Sequence, residues 1–363
     1  MFNINVIVYC KRLQEFDIEV TTMVSIADVA LEAGVSVATV SRVINHKGNV
    51  SQETMRRVEE AIQKLSYEPN ILARNFRKSE SRVMLILAPN ITNPYYSQIL
   101  TGIGFSARRL GYSFMICTTG GDSDQERDFL DMLAKKRADG AIMLATGMSR
   151  DDIEHYAAKY PIVQCSEYYP DTSVAHVAID NYRSAYQVVE YLLSLGHRRI
   201  ATISSINNYP STRLRLAGYR DALIAAGLQP DDALVRYGSF DYSFSSGLAA
   251  AQSLLLQSDR PTAIFCISDM LALGAINGAQ NMGLKVPSDV SVVGFDDVAH
   301  ATMFRPHITT MAQPCYEIGQ RATELLCRLM RCEPCPCQGV MLESQLVVRD
   351  SCTAYEAQNR SEL

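Results

Sequence analysis

No apolar run in this sequence approaches the roughly 20 residues that span a bilayer, and with 47% of its 363 residues hydrophobic and 20% charged the composition excludes a disordered chain. An export signal is also lacking. The opening "MFNINVIVYCKR" is apolar but short, its charges follow the greasy run, and no small-residue cleavage site comes after it. The expectation is a cytoplasmic protein without a membrane partner. Catalytic signatures are missing as well: there is no G-x-S-x-G, no G-x-x-x-x-G-K-[ST] and no H-E-x-x-H, and "GIGFSA" breaks G-x-G-x-x-G at its last position. The six histidines are scattered without a partner pattern. Nothing calls for a cofactor, and no short repeat or low-complexity tract occurs.

Cysteine, by contrast, is plentiful, at ten residues. In runs such as "SFMIC" and "AIFC" it reads as a small buried hydrophobe, which suits a reducing compartment. The stretch "CRLMRCEPCPC" gathers Cys327, Cys332, Cys335 and Cys337. Its C-x4-C-x2-C-x-C spacing lacks the paired C-x2-C layout of a closed zinc site, and two prolines extend the chain, so the reading is a surface loop and no metal.

At this length two or more domains are expected, and the texture of the sequence divides accordingly. Residues 24 to 68 hold three short helical patterns. Ser25 precedes "IADVALEA", Ser36 precedes "VATVSRVI" and Ser51 precedes "QETMRRVEEAIQKL", each serine placed to accept an orphan N–H of a first turn. Apolar residues recur at helical spacing: Ile26, Val29, Ala30 and Ala33; Val40, Val43 and Ile44; Met55, Val58, Ile62 and Leu65. One small core shared by three helices follows. Residues 23–82 carry nine Lys/Arg against seven Asp/Glu, a local charge of +2 in a chain of net −5, an excess that permits contact with nucleic acid without proving it.

"ILARNFRKSESR" reads as a linker, and beyond Arg82 short apolar runs alternate with helical patterns. "VMLILAP", "SFMICTT", "GAIMLAT", "PIVQCS", "RRIATIS", "TAIFCIS" and "VSVVGFD" predict buried strands, and "YSQILTGIGFSARRLG" and "AYQVVEYLLSLG" predict helices. This is the pattern of parallel sheets covered on both faces, and some 270 residues of it imply two lobes.

The stretch "VATVSRVIN" combines two faces. Val40, Val43 and Ile44 line one side, and Val37, Ala38, Ser41, Arg42 and Asn45 the other. In a helix-turn-helix the second helix enters the major groove, with one face for the core and one for base edges. Arg42 suits guanine or phosphate; Val37 and Ala38 suit thymine methyls. An ordinary three-helix bundle with a solvated face fits the pattern equally.

"SIADVALEAGVSVATVSRVIN" followed by "VSQETMRRVEEAIQKLSYEPNILAR" resembles the DNA-binding headpiece of the LacI/GalR family of bacterial repressors. The resemblance continues through "NPYYSQILTGI", "ADGAIML", "GHRRIATI", "RLAGYRDAL", "GLKVPSDVSVVGFDD" and "EIGQRA", from residue 23 to about 350. "SEY", "ISDMLALGA" and "TTMAQPCYEIG" look most like its cytidine-responsive branch.

The resemblance implies an N-terminal all-α helix-turn-helix headpiece (23–68), a hinge helix and linker (69–82), and an α/β two-lobed periplasmic-binding-protein-like domain with parallel sheets (83–353). Lobe 1 would hold about 83–180 and 313–342, and lobe 2 about 181–312 and 343–353. Residues 1–22 would be a disordered arm or a start-site artefact, and 354–363 a tail; without a leucine heptad in "TAYEAQNRSEL", a homodimer and not a tetramer is expected. Double-stranded operator DNA would be read by Ser36, Val37, Ala38, Ser41 and Arg42, with Thr39 and Asn45 nearer phosphates. The hinge helix, about Asn70 to Lys78, would enter the minor groove with Ala73 and wedge Phe76, where family members more often carry Leu, into a base step; Arg74, Arg77 and Lys78 would hold phosphates.

The resemblance also implies an interlobe cleft for a small sugar-like or nucleoside effector. A polyol needs paired acceptors, a forked donor and a flat apolar surface. Asp180 in "AIDN", Arg215 in "RLRLAG" and Asp296 in "GFDD" match effector contacts, Tyr95 and Tyr96 could stack on a ring, Tyr209 and Ser211 lie where specificity varies, and Tyr242 or Phe240 is a further contact. Glu167 in "QCSEYYP" is either an acceptor for a ligand hydroxyl or amine or an exposed loop acid. The function implied is allosteric transcriptional repression and no enzyme activity; the alternative from another class is a solute-binding protein or a sugar-processing enzyme on the same scaffold.

Overall fold

The computed structural model describes residues 24–45, 48–67, 80–333 and 339–355. Contacts divide the chain into two compact units, one ending at Arg77 and the next beginning at Lys78.

In the first unit α1 (Ile26–Ala33), α2 (Val37–Ile44) and α3 (Gln52–Lys64) start where the serines place them. Ser25, Ser36 and Ser51 accept from the backbone N–H groups of Asp28, Thr39 and Thr54, and Asp28 completes a capping box with Ser25. Gly34 ends α1 at φ 61°, a left-handed position that costs glycine little. Arg57 of α3 donates to the carbonyls of Ala33 and Gly34, satisfying the end of α1 from a different helix. The core is small, made of Val29, Ala30, Ala33, Val40, Val43, Val58 and Ala61. Met55, expected inside, is exposed, while Ala61, next to the expected Ile62, is buried beside Val58.

The second unit contains two six-stranded sheets. In the first, β1 (Val83–Ala88), β2 (Ser113–Thr118), β3 (Gly140–Met143), β4 (Ile162–Cys165), β5 (Ala175–Ile179) and β11 (Gly339–Leu342) lie in the order β11-β5-β4-β3-β1-β2. In the second, β6 (Ile200–Ser205), β7 (Val235–Gly238), β8 (Ala263–Cys266), β9 (Ser291–Asp296), β10 (Thr309–Ala312) and β12 (Gln345–Val347) lie in the order β12-β10-β9-β8-β6-β7. All pairs are parallel except β10 with β12. The chain crosses between the sheets after β5, after β10 and after β11, and Ser184 and Ser344 meet at 2.7 Å beside the first and last crossings.

Helices cover the sheets: α4 (Pro94–Arg109), α5 (Ser123–Ala134), α6 (Arg150–Ala157), α7 (Asn181–Ser194), α8 (Pro210–Ala225), α9 (Phe244–Leu255), α10 (Asp269–Asn281) and α11 (Cys315–Met330). Glycine sets how closely α4 and α11 approach. A Cβ added to Gly102 would lie 2.1 Å from the Tyr316 carbonyl oxygen, and one on Gly319 would lie 2.2 Å from that of Ile99. The glycines in "GIGFSA" and "EIGQRA" are thus packing residues.

The strand β2 departs from the expected two-sided burial. Cys117 is buried, but Phe114, Met115 and Ile116 are 37%, 42% and 41% exposed on this edge strand. Phe105 and Tyr316 are exposed nearby, their rings 6.1 Å apart, and Phe114 reaches Gly104 in the same helix as Phe105. In the second sheet, residues 351–355 run as a strap: Val292 N–H donates to Ser351, Tyr355 N–H to Leu195, and His197 bridges Thr262 and the Thr353 carbonyl. Burial keeps the His197 imidazole below its ordinary pKa. No described helix is long and apolar enough to cross a membrane. Cys327 is buried and Cys332 exposed, while Cys335 and Cys337 lie outside the described residues.

Candidate functional sites

In the headpiece, α2 separates its faces as its spacing requires. Val40 and Val43 are buried, Ser36, Val37, Ala38 and Arg42 are exposed, and Thr39, Ser41 and Asn45 are half-buried. The Thr39 hydroxyl sits 2.9 Å from that of Ser36 at the helix start. Asn45 donates its side-chain amide to the Ser41 carbonyl at 2.7 Å, closing the other end. Arg42 therefore stands as the cation of this face, with Val37 and Ala38 supplying apolar surface one turn earlier. Asn70, Ala73, Arg74, Phe76, Arg77 and Lys78 lie outside the described residues.

In the two-lobed unit, a narrow cleft lies between the carboxyl ends of the two sheets. It is lined by Asn93, Tyr95, Tyr96, Ser166, Glu167, Ser211, Arg215, Tyr242, Ser268 and Asp296. Parallel sheets place binding residues there because loops and helix N-termini converge at those ends. Seven of the nine residues expected around an effector are in this group. Asp180 is not: it is exposed and caps α7, accepting from Arg183 N–H at 2.8 Å. Its neighbour Asn181 is the buried one, and accepts from Arg215 Nε at 2.9 Å. Tyr209 is buried beside the cavity, packed edge-on against Phe240 at 5.4 Å. Both rings press on Gly121 of the other lobe, where an added Cβ would lie 2.4 Å from the Phe240 ring.

Arg215 is held on several sides. Its Nη1 donates to the Ile267 carbonyl at 2.6 Å, its guanidinium stacks 3.7 Å over Phe295, and Asp296 lies 3.7 Å away. Asp296 is buried at φ 110°, a conformation costly for any residue but glycine and typical of functional turns. Gln313 donates to it at 2.7 Å. Burial nevertheless pushes its carboxyl up to about 7, because the nearby guanidinium is directed chiefly at other acceptors. Tyr95 is bonded to Ser166 at 2.6 Å and to Gln313 at 3.2 Å. Its hydroxyl is thereby tied to the scaffold.

Glu167 is buried, which removes the exposed-loop alternative. It crosses the cleft, accepting from both the backbone N–H (3.0 Å) and the hydroxyl of Ser211 at the start of α8. Burial raises its pKa, opposed by these two donors. Tyr242 joins the same wall through Thr212 at 3.1 Å. Sequence reasoning missed Asn93, Ser166, Ser268 and Gln313. Asn93 and Ser268 carried a usable signal, since each caps the helix that follows a strand's carboxyl end.

Two family models match this chain. "Bacterial regulatory proteins, lacI family" covers residues 25–70, and "Periplasmic binding proteins and sugar binding domain of LacI family" covers 81–334. The HTH-type transcriptional repressor CytR of Escherichia coli (strain K12) is 37% identical over 334 residues, 92% of this chain and 97% of that protein. Catabolite control protein A of Priestia megaterium is 34% identical over 90% of this chain and 99% of its own. Among solved structures, the Lac repressor dimer bound to operator and the anti-inducer ONPF superposes with a TM-score of 0.83 at 29% identity, covering 91% of this chain and 99% of that one. These relatives are regulators by name and none is a hydrolase or a transport protein, so on sequence, on fold and on both family models the chain belongs to the LacI family of bacterial regulatory proteins.

Proposed function

We propose that this protein is a sequence-specific repressor of carbohydrate or nucleoside utilisation genes, acting in the cytoplasm at the nucleoid and switched by a small sugar-like or nucleoside effector in the interlobe cleft. The observation that carries the DNA half is α2, whose exposed Val37, Ala38 and Arg42 back onto a buried Val40–Val43 seam. In our reading Ser36, Val37, Ala38, Ser41 and Arg42 face bases, Thr39 and Asn45 face phosphates, and the segment Asn70 to Lys78 supplies the minor-groove wedge Phe76. The domains follow the divisions at 23–68, 69–82 and 83–353.

The protein acts as a homodimer, as the Lac repressor does on its operator. The exposed apolar surface of Phe105, Phe114, Met115, Ile116 and Tyr316 supports a pairing face on lobe 1, since a patch of this kind marks an interaction surface. Tyr96, Glu167, Ser211, Arg215, Tyr242 and Asp296 hold the effector. An effector switches the repressor only by binding one arrangement of the lobes better than the other, with coupling of about 1–3 kcal/mol usual for such switches.

The test is selection of bound duplexes from a random DNA library by the full-length protein, with and without candidate metabolites. Enrichment of a near-palindrome, with affinity that a metabolite raises or lowers, is expected. Failure to enrich any sequence sinks the DNA-reading assignment.

A further inference from the structure

The cleft holds more carboxyl groups than cations. Two buried carboxyl groups, Glu167 and Asp296, line it, and among the described residues Arg215 is its only cation. That guanidinium already serves Asn181, the Ile267 carbonyl and Asp296. Asp296 has Gln313 as a standing donor, supplied by the crossing segment itself. Glu167 differs, because among the described residues its only hydrogen-bond donors come from the opposite lobe: the N–H and hydroxyl of Ser211. When the lobes part, those donors leave, and the Glu167 carboxylate is left wanting two donors side by side.

We propose that Glu167 selects the effector: the cleft takes an unphosphorylated ligand that presents two adjacent O–H or N–H donors to this carboxylate, where Ser211 stands in the closed cleft. The proposal rests on the reading of the cleft as the effector site. Vicinal ring hydroxyls or an amine beside a ring N–H meet the requirement. A phosphate group does not, since at neutral pH it offers acceptors almost alone; a phosphorylated ligand keeps its ring hydroxyls but brings further negative charge into a cleft that holds two carboxyl groups and one engaged arginine. Tyr96 and Tyr242, lining the same cavity, give the ligand's flat face an apolar neighbour.

The experiment is titration calorimetry on the full-length protein with D-ribose, cytidine and adenosine, each beside its 5-phosphate. At least one parent compound is expected to bind ten times or more tighter than its phosphate. Glu167→Gln keeps the shape but replaces one acceptor by a donor, and is expected to weaken the parent at least tenfold and to narrow its advantage over the phosphate. A thermal melt checks that the variant is folded. Should it not fold, Glu167→Asp keeps the charge one methylene further back, so the parent weakens while the phosphate stays excluded. A phosphate binding as tightly as its parent overturns the proposal. So does a folded Glu167→Gln protein with unchanged affinity for the parent, which leaves the cleft reading standing. Silence from all six compounds overturns both.

Discussion

Arg42 and Asp296 are the residues on which the two halves of the function are most directly tested. Replacing Arg42 with alanine removes the one exposed cation of α2 and is expected to weaken operator binding by about 10- to 100-fold, the range of one bidentate base contact; fluorescence anisotropy on a labelled operator reads it, and an unchanged affinity takes Arg42 out of the interface. Asp296 predicts a pH dependence. Its folded pKa of about 7 stands above the ordinary aspartate value of 3.8, so the stability it contributes is complete below 3.8 and is lost as pH rises through about 7. An effector that donates to its carboxylate reverses part of this by favouring the ionised form. Binding should then release a proton and tighten by about tenfold from pH 6 to pH 8, which calorimetry in buffers of different ionisation enthalpy detects. Much of the cleft was legible because Arg215, Asp296 and the tyrosines stand in recognisable sequence surroundings. Asp180 caps α7 while its neighbour Asn181 meets Arg215: adjacent residues at a helix start point in different directions, and spacing alone does not say which one is the cap. Ser166 and Gln313 carry no signal of their own, since their roles depend on Tyr95 and Asp296, far away in sequence.

Among the elements, helices were the most readable, for each of the first three announces itself with a serine cap and an apolar stripe. Ser51→Ala should cost about 1 kcal/mol of headpiece stability, measurable by denaturant titration of the full chain followed by a probe on α3. Strands β1, β3, β4, β6, β8 and β9 were readable because each lies in a longer, nearly continuous apolar run of the sequence. The short strands β5, β7, β10, β11 and β12 were not, because three to five residues with mixed polarity do not establish a period. Exposure of β2 was equally hidden, since an apolar edge strand and an apolar central strand share one pattern. The Gly120–Gly121 turn, by contrast, yields a prediction only in three dimensions. Gly121→Val would drive a side chain into Phe240, holding the lobes apart, and should reduce affinity for any ligand that needs the closed cleft while leaving both sheets intact; small-angle scattering should show a larger radius of gyration, and an unchanged radius counts against the contact.

At the scale of the whole molecule, an acidic chain can hold DNA because its positive surface is local and is doubled by symmetry. Operator affinity should therefore fall steeply with added salt, and loss of pairing should weaken it further. Ile116→Asp places a charge on the exposed apolar strand and is expected to shift the protein from dimer to monomer in sedimentation velocity; a dimer of unchanged stability would move the pairing face elsewhere. The threading of the two sheets has a further consequence, for the order in which a ribosome can deliver a working molecule. The headpiece has its own core and is complete by residue 67. Lobe 1 has to wait for α11 and β11, and lobe 2 for β12 and the strap at 351–355, so neither can close until nearly 300 residues later. The DNA-reading part is thus born long before the part that governs it, and through that interval a nascent chain carries a folded headpiece with no means of answering a metabolite.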